Sequence, residues 1–479
     1  MSDVQKRADI DLVLCKPQIL QIAHLVAQMG GQAFLVGGCV RDILLGIPPK
    51  DVDIEVFYVS HDDLETALRK EFKVNFIGKS FGVFKLKEYP IDISTPRLET
   101  VIGYTHQSFC VSTDPHLSLK KAAERRDFTI NAMFLDPLTG LIHDPFGGEA
   151  DLKKKILRHV SAKFTEDPLR VLRGMQFIGR FELTADADTM QLCKTLAPYY
   201  LPQERVFEEW QKLLLQGVKP SLGLEFLRQT GWIRHYPELQ ALINCPQDPT
   251  WHPEGDVWTH TLHALDAFAR KRIHNAEEDL IIGLAVLCHD FGKPITTHRD
   301  EQGRIRSPGH DVASEAPTRN FLNQITRNKL LIESVAILVV LHMRPSELYR
   351  GKASDSAVRR LATAVGRMDR LMRVVEADDE GRPPHPPNKE IIEWLLKRCE
   401  ALFIKDKSPS PILLGRHLIA LGLSPQPLFS HILKLAFDAQ LDGHFSDETS
   451  GLIYLREEIL PKFEKTLPLK AIPTETPVK

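Results

Sequence analysis

The sequence has few cysteines, no long apolar run and no excess of charge of either sign. Its seven cysteines are scattered along 479 residues without a CxxC spacing. This argues against a zinc ribbon or a disulfide scaffold and favours free thiols in a reducing compartment. No stretch reaches the roughly 18 to 20 apolar residues of a membrane helix, and the first residues mix acids with bases. We therefore expect a cytoplasmic protein with no membrane partner.

The balance of charge leaves the class of partner open. With 61 basic and 63 acidic residues, the formal net charge is -2. Such a balance neither demands nor excludes nucleic acid, so any basic surface must be local. The length predicts two to four domains.

Strand patterns are confined to the first third of the chain, where they alternate with helical patterns. Helical apolar spacing covers residues 19–29 and 62–72. Strand patterns cover residues 33–36, 52–58, 74–77, 83–86 and 91–94. These segments predict an α+β head.

The rest of the chain is predicted to be helical. From about residue 160 nearly every segment has helical periodicity, and proline-bearing breaks occur at residues 244–256 and 378–390. We expect four parts, at residues 1–158, 159–240, 241–385 and 386–479.

Two aspartates interrupt a predicted strand just after a Gly-Gly turn, in LVGGCVRDILLG followed by KDVDIEVF. Residues two apart on a strand face the same side, so Asp51 and Asp53 are predicted to share divalent cations, as two-metal phosphoryl transfer requires. Gly37 and Gly38 would let phosphate approach the backbone, and Arg41 would hold a triphosphate. A solvated strand face is the alternative for the aspartate pair alone.

This segment resembles motif A of the class II tRNA nucleotidyltransferases and bacterial poly(A) polymerases, which have a polymerase-beta-like head with a mixed sheet. The resemblance implies that Asp51 and Asp53 are catalytic Mg²⁺ ligands and that the turn at Gly38 cradles nucleotide phosphate. A third carboxylate often completes such a site from a neighbouring strand, and Asp92 in YPIDISTPR occupies that place. A structural aspartate is the alternative for Asp92.

The segment ERRDFTINAMF resembles motif B of the same family. By this resemblance, Arg126 contacts the triphosphate of the incoming nucleotide and Asp127 contacts its ribose. An exposed charge cluster that caps a structural element is the alternative. The roughly thirty residues between Asp92 and this motif carry few strong signals and are similar to the flexible loop of the family.

Asp167, Arg170 and Arg173 follow at a spacing of three, which places them on one side of a helix. The alternative is a silent surface ion pair. The EDxxR pattern is similar to the protein template of the family, in which Asp and Arg select C and then A. This chain departs from the family with Gln176, where a further Arg is frequent. Glu204 and Arg205 are similar to its structural ExR element.

An ordered series of histidines and aspartates marks the third part. Imidazole and carboxylate together suit a divalent transition metal with open positions for water and phosphate. The series resembles an HD phosphohydrolase domain, and an HD fold that binds metal without turnover is the alternative. The implied metal ligands are His260, His289, Asp290 and Asp378, with His310 and His342 as further candidates.

The order of head, neck and HD domain is similar to that of the multifunctional bacterial CCA-adding enzymes. We therefore expect template-independent addition of CCA to tRNA from CTP and ATP, with no protein partner predicted. The neck would select bases, and the helical tail would contact the tRNA body or simply pack. Alternatives are an A-adding enzyme, a poly(A) polymerase, or an HD phosphohydrolase whose head only binds nucleotide. By analogy the HD domain hydrolyses phosphomonoesters, 2′-nucleotides or 2′,3′-cyclic phosphodiesters.

Overall fold

The chain divides into two compact units between Pro237 and Glu238. The computed structural model describes residues 13, 15–77, 82–101 and 109–463, without the side chains of 76–77, 98–101 and 109–112. Within these ranges, none of the helices combines the length and the apolar character that a membrane crossing requires.

The first unit contains a seven-stranded mixed sheet in the order β3-β4-β5-β2-β1-β8-β9. A hairpin, β6 with β7, and a short parallel pair, β10 with β11, stand apart from it. The strands are β1 (Gln32–Val36), β2 (Val52–Phe57), β3 (Val74–Ile77), β4 (Val83–Leu86), β5 (Ile91–Ser94), β6 (Arg97–Val101), β7 (Phe109–Thr113), β8 (Phe134–Leu135), β9 (Ile142–His143), β10 (Ile156–Leu157) and β11 (Thr184–Ala185).

The register of the central strands places the predicted carboxylates. Strand β1 runs antiparallel to β2 and pairs Val36 with Asp53. Strand β2 runs parallel to β5 and pairs Asp53 with Asp92. The two aspartates are therefore neighbours on adjacent strands.

Both faces of the central sheet are covered, which explains the nearly continuous apolar character of β1. Ala33 and Leu35 join the larger core together with residues of helix α1 (Lys16–Gln28). Phe34 and Val36 join a second cluster, where the rings of Phe34 and Phe57 meet edge to face at 5.7 Å. Residues two apart share a face, so Asp53 and Glu55 lie on the same side of β2 as Phe57.

Helices flank the sheet and then continue the first unit. The bounds are α1 (Lys16–Gln28), α2 (Gly38–Leu44), α3 (His61–Glu71), α4 (Leu119–Ala123), α5 (Gly148–Lys153), α6 (Leu169–Phe181), α7 (Ala187–Thr195), α8 (Gln203–Gln216) and α9 (Pro220–Gln229). Short 3-10 turns cover Thr129–Asn131, Ala162–Glu166 and Trp232–His235. Helix α10 (Pro237–Gln240) lies at the division between the units.

The second unit is helical apart from one small hairpin, β12 (His298–Arg299) with β13 (Ile305–Arg306). Its helices are α11 (Val257–Arg270), α12 (Ala276–Cys288), α13 (Lys293–Thr296), α14 (His310–Ala313), α15 (Glu315–Ile325), α16 (Lys329–Leu341), α17 (Arg344–Arg350), α18 (Asp355–Val365), α19 (Met368–Glu380), α20 (Lys389–Ala401), α21 (Gly415–Ala420), α22 (Leu428–Asp442) and α23 (Glu448–Tyr454). A π-helical turn (Leu455–Ile459) and a 3-10 turn (Leu460–Phe463) end the described chain.

Helix α12 is the central helix of the second unit. Its residues from Leu280 to Cys288 are all buried, and it packs against α11, α16 and α19. A helix that is apolar all round belongs in a core. The C-terminal part of the unit has a hydrophobic core of its own, to which Leu418, Ile432 and Leu455 contribute.

The α+β class and the helical remainder were predicted correctly from the apolar spacing, and the mixed sheet agrees with what the family resemblance implied. Each predicted strand of the head is present, but β2 begins at Val52, so the expectation that Asp51 lies on this strand is wrong by one residue. The segment after β5, expected to be a loop, contains the hairpin β6–β7 and helix α4; residues 102–108 lie outside the described ranges. The division into four parts stays a prediction.

Candidate active sites

The first candidate site is an open cavity of about 460 Å³ in the first unit. It is lined by most of the residues that the three head motifs predicted, namely Gly38, Arg41, Asp53, Arg126, Asp127, Asp167, Arg170 and Arg173. Its wall also contains residues that the motifs did not single out for nucleotide binding, among them Asn131, Phe177, Arg180, Arg205 and Lys212. The structure thus brings the three motifs together around one space.

Of the three carboxylates predicted to bind Mg²⁺, Asp53 lines this cavity, whereas Asp51 and Asp92 are not among its lining residues. Asp53 stands beside Asp92 on adjacent strands, and Asp51 is one residue before β2. The pKa of Asp53 is raised, first because the protein removes water from its carboxylate; Arg126 opposes this rise, whereas Asp92 and Asp51 add to it. The Lys85 ammonium lies 2.8 Å from a carboxylate oxygen of Asp92. Carboxylate oxygens are the donors that Mg²⁺ takes in proteins, so the chemistry of these residues fits that ion.

The turn before α2 requires a glycine at its first position. Gly37 has a φ of 76°, in the left-handed region. A Cβ there would lie 3.2 Å from Nη1 of Arg126 and 3.6 Å from Oδ2 of Asp53. A side chain at Gly37 would therefore strain the backbone and crowd the carboxylate and the cation that the site places together.

Arg125 and Arg126 share one buried partner, Glu55. The Glu55 side chain is 1% exposed, and its two oxygens accept hydrogen bonds of 3.2 Å from Arg125 and 3.1 Å from Arg126. A buried carboxylate between two guanidinium groups fixes both of them and is itself compensated. Sequence reasoning missed Glu55 because its partners are about seventy residues away.

Arg41 is also buried and is held from several sides. Its Nη1 donates to the side-chain oxygen of Asn131 at 2.6 Å, and its Nε and Nη2 donate to Asp42. Its guanidinium carbon lies 4.6 Å from the ring centroid of Phe181. Stacking on an aromatic face together with planar hydrogen bonding fixes an arginine firmly.

Asp127 is 7% exposed, and both of its oxygens are engaged. One accepts hydrogen bonds from the backbone of Phe128 and from Asn131, and the other accepts from Nε of Arg173 at 2.7 Å. Burial alone would raise its pKa, but Arg173 and these hydrogen bonds outweigh burial and lower it. Contact with a ribose therefore stays a prediction, and it would require one of these bonds to be exchanged.

The EDxxR residues do not form the surface ion pair that was the alternative for them. Asp167 precedes α6, so only Arg170 and Arg173 lie on the helix. Asp167 accepts a hydrogen bond of 2.7 Å from Arg205, whereas Arg170 donates to the backbone carbonyl oxygens of Lys163 and Arg125, both at 2.6 Å. The two residues are thus oriented by different partners on either side of the cavity.

Gln176, the departure from the family pattern, faces Arg180. It is 1% exposed, and its side-chain oxygen accepts a hydrogen bond of 3.0 Å from Arg180. Burial lowers the pKa of Arg180 to about 10, and the nearby positive charge of Arg41 adds to this. Arg180 also stacks on Phe181 at 4.9 Å. The spacing of four residues along a helix was the signal that could have identified this partner.

The second candidate site is a cluster of buried histidines and aspartates in the second unit. His260 comes from α11 and Asp378 from α19, whereas His289 and Asp290 directly follow α12. Nε2 of His260 lies 3.2 Å from Nε2 of His289 and 3.0 Å from a carboxylate oxygen of Asp378. His310 begins α14 and His342 follows α16, and their Nε2 atoms lie 3.3 Å apart. All six residues predicted from the sequence are brought together.

Asp290 lies between the two groups of ligands. Its Oδ2 is 3.3 Å from Nε2 of His289, and its Oδ1 is 3.4 Å from Nε2 of His310. The Lys293 ammonium lies 2.7 Å from Oδ2. Both oxygens are buried without a hydrogen-bond donor of suitable geometry among the described residues. A buried carboxylate whose oxygens lack hydrogen-bond donors is suited to bind a metal ion.

The four histidines are all bonded at Nδ1, which leaves Nε2 directed at the other ligands. The Nδ1 atoms of His289, His310 and His342 lie 2.6 to 2.8 Å from backbone carbonyl oxygens of residues three positions earlier. Nδ1 of His260 lies 2.9 Å from Glu254. An imidazole that donates from Nδ1 has its lone pair on Nε2, so the donor set fits a divalent transition metal.

The pKa values around the cluster are shifted in both directions. Burial lowers the pKa of His342 to about 4, and the neighbouring His289 and His310 add to the effect. The pKa values of Asp290 and Asp378 lie well below the ordinary range, because the nearby histidines outweigh the opposing effect of burial. Burial lowers the pKa of His260, but Asp378 and Glu254 raise it to about 9.

Glu254 is a residue of this site that the sequence did not single out. Its side chain is fully buried, and one oxygen lies 2.8 Å from Nδ1 of His252 and 2.9 Å from Nδ1 of His260. Burial raises its pKa, but the two histidines and the backbone lower it to about 2. A carboxylate behind a metal-binding histidine fixes the ring orientation and its tautomer.

Gly292 and Ser314 hold two ligand-bearing segments together. A Cβ at Gly292 would lie 2.1 Å from the carbonyl oxygen of His310. The hydroxyl oxygen of Ser314 lies 2.8 Å from the carbonyl oxygen of His289 and 2.7 Å from that of His310. The cluster opens into a cavity of about 360 Å³.

Comparisons with known proteins agree with this geometry. The family profile described as the poly A polymerase head domain matches residues 33–158, and one described as a probable RNA and SrmB-binding site of polymerase A matches residues 183–243. The chain is 34% identical over 368 residues to the multifunctional CCA protein of Laribacter hongkongensis, covering 74% of this chain and 86% of that protein. It therefore belongs to the multifunctional CCA protein family.

A further relative supports the same assignment, and solved structures show a similar fold. The multifunctional CCA protein of Halorhodospira halophila is 35% identical over 386 residues, covering 76% of this chain and 86% of that protein. The fold is similar to a Bacillus stearothermophilus CCA-adding enzyme in complex with CTP, with a TM-score of 0.64, 23% identity and coverage of 94% of this chain and 99% of that one. The fold is also similar to a Thermotoga maritima CCA-adding enzyme complexed with tRNA, with a TM-score of 0.57 and 21% identity. This similarity covers 96% of this chain and 97% of that one.

Membership of this family confirms the nucleotidyltransferase class that the head motifs predicted. It also confirms the α+β fold with a polymerase-beta-like head. The roles of individual residues in both sites stay predictions.

Proposed function

We propose that the chain adds C, C and then A to the 3′ end of tRNA from CTP and ATP, without a nucleic-acid template. The observation that carries this proposal is the head cavity, where residues of all three head motifs line one space. Membership of the multifunctional CCA protein family supports this reaction over A addition alone or poly(A) synthesis.

Asp51, Asp53 and Asp92 would hold Mg²⁺ in the head. When bound, Mg²⁺ supplies Lewis-acid activation of the attacking hydroxyl and charge neutralisation at the phosphates. The pairing of Asp53 with Asp92 across parallel strands fixes the spacing of two of these carboxylates.

The cations of the cavity would bind and orient the triphosphate. Arg126 stands beside the bare Gly37 turn, and Arg41 and Arg180 are stacked on the ring of Phe181. Groups fixed in this way hold the α-phosphorus in place with little reorganisation. The terminal 3′ oxygen of tRNA then bonds to the α-phosphorus as the bond to the leaving pyrophosphate breaks.

Asp167 and Arg170 would read the base of the incoming nucleotide. A carboxylate offers acceptors and a guanidinium offers donors, so together they can match the hydrogen-bonding edge of C or A. Both are engaged with protein groups here, since Asp167 binds Arg205 and Arg170 binds two backbone carbonyl oxygens. Base binding would exchange some of these bonds.

Stepwise incorporation tests the proposal for the head. Purified protein with Mg²⁺ is given tRNA transcripts that end before CCA, after C and after CC, with labelled CTP and ATP separately and together. We expect two C residues and one A, and then no further addition. Addition of A only to the CC-ending transcript would identify an A-adding enzyme, and long A tracts a poly(A) polymerase. No addition on any transcript would contradict the proposal.

We further propose a metal-dependent phosphohydrolase activity for the second unit. The inward-facing Nε2 atoms of four histidines and the two aspartates would hold a divalent transition metal. When bound, the metal supplies an activated water and polarises the phosphoryl oxygens. Lys293, whose ammonium lies 2.7 Å from Asp290, would compensate excess negative charge and bind a phosphate oxygen.

Metal reconstitution tests this second activity. Chelator-treated protein is titrated with Mn²⁺, Co²⁺, Ni²⁺ or Zn²⁺, and phosphate release from nucleoside monophosphates and opening of a 2′,3′-cyclic nucleotide are followed. We expect at least one metal to restore turnover. Stoichiometric metal binding without turnover would instead support a structural metal site.

A further inference from the structure

The cavity at the histidine-aspartate cluster continues into a second cavity of about 260 Å³. Trp251, Arg350 and Arg382 line both cavities, as do the cluster residues His342 and Asp378. The two cavities are therefore parts of one groove that passes the cluster. A groove of this size exceeds what a phosphate group alone would fill.

An exposed tryptophan lies where the two cavities meet. Trp251 is 65% exposed, whereas Trp210, Trp232 and Trp258 are at most 4% exposed. The backbone N–H of Trp251 donates to the carbonyl oxygen of Asp248, and the carbonyl oxygen of Thr250 lies 3.1 Å from Nε2 of His385. The loop is thus held by one hydrogen bond within it and by another to His385, and the indole lines the groove rather than the core.

The cations of the groove differ in how they are compensated. Lys293 pairs with Asp290, Arg306 lies 2.9 Å from Asp300, and Arg382 pairs with Asp379. Arg350 lines both cavities, and its guanidinium group has no hydrogen-bond or ion-pair partner within the described ranges. It is therefore the cation of this groove that is available to an anionic ligand.

We propose that Trp251 and Arg350 form a nucleotide subsite beside the histidine-aspartate cluster. The indole stacks on a nucleobase, and the Arg350 guanidinium pairs with a phosphate oxygen of the same nucleotide. Aromatic side chains bind bases by stacking regardless of sequence, because every base has a π face. The inference rests on the proposed phosphohydrolase function and names the side chains that would bind the base and a phosphate of a nucleotide substrate, either free or at an RNA end.

The test compares ligands that differ only in the base. Full-length protein loaded with metal is titrated calorimetrically with the 2′-, 3′- and 5′-monophosphates of adenosine and with inorganic phosphate. The variant Trp251→Ala isolates the subsite from nucleotide binding elsewhere. We expect Trp251→Ala to weaken binding of at least one adenosine monophosphate about 10-fold or more, to leave phosphate binding unchanged, and to be rescued by Trp251→Phe. Arg350→Ala should weaken binding of both classes of ligand.

Phe403→Ala is the matched control, because Phe403 is 80% exposed in the same unit but lines neither cavity. Unchanged metal content and unchanged CTP incorporation by the head report that each variant is folded. Equal affinity of wild type and Trp251→Ala for all three nucleotides would overturn the proposal. Nucleotide binding that depends on Trp251 without any phosphate release would keep the subsite and refute the hydrolase function.

Discussion

The two candidate sites use their polar groups in opposite ways. In the head cavity, cations and carboxylates are bonded to one another, as in the pairs of Glu55 with Arg126 and of Asp167 with Arg205. In the histidine-aspartate cluster, each histidine is bonded on its outer nitrogen, and the inner nitrogens face only other ligands. The first arrangement must exchange bonds when a substrate enters, whereas the second is already arranged for a cation.

This difference follows from what each site has to accommodate. A site that takes C and then A, with a growing RNA end, needs partners that can be exchanged at low cost. A metal site requires fixed ligand geometry, because misplaced ligands lose affinity directly. Four predictions test this contrast, beginning with the largest expected effect.

Replacing both head aspartates, Asp51→Ala with Asp53→Ala, should lower nucleotide addition by at least about 10³-fold, because the proposed metal ligands of the transfer reaction are lost. Phosphate release by the second unit should remain at the wild-type rate. The reciprocal variant His289→Ala should lose metal and phosphate release while it retains addition of CCA. Loss of both nucleotide addition and phosphate release in either variant would contradict the model of two separate sites.

Glu55→Gln removes the charge that compensates two arginines in the head. We expect unfolding in urea to show a loss of about 3 kcal/mol, because the pair is buried and one partner is left uncompensated. Glu65→Gln is the control, since Glu65 forms an exposed i,i+4 pair with Arg69 and should change stability by less than about 0.5 kcal/mol. Similar stability of the two variants would show that Glu55 is not essential to holding Arg125 and Arg126.

Glu254→Gln preserves shape but removes the negative charge behind His260. The metal affinity of the second unit should fall roughly 10- to 100-fold, because the carboxylate no longer orients the ring and raises its basicity. Competition with a chromogenic chelator at fixed pH measures the effect. Glu301→Gln, an exposed acid in the turn between β12 and β13, serves as the control. An unchanged affinity in Glu254→Gln would mean that Glu254 does not position the histidine.

Arg205→Ala should have the smallest effect, because its pair with Asp167 is partly exposed. Without this partner Asp167 is less well oriented, so the preference for CTP and ATP over UTP and GTP should fall about fivefold. Single-turnover incorporation of each nucleotide measures the preference, and Arg205→Lys should restore part of it. A large loss of stability in Arg205→Ala would instead assign Arg205 a purely structural role.

The motifs predicted residues that are close in sequence better than the partners that hold them. Asp53, Arg126 and Asp127 were found because each belongs to a short pattern with a clear chemical requirement. Glu55 lies two residues after Asp53, but its role depends on arginines some seventy positions later. Glu254 likewise acquired a role only when α11 brought His260 beside it.

The sequence by itself determined most of the strands and helices and the reaction class, because these depend on local spacing and on short motifs, and it predicted the residues that would bind metal. Only the tertiary structure decided that Asp53 stands beside Asp92, that Asp290 lies between two groups of histidines, and that Trp251 faces a groove. The physical reason is that hydrogen-bond partners and burial are set by contacts between segments far apart in the chain, which no local pattern records.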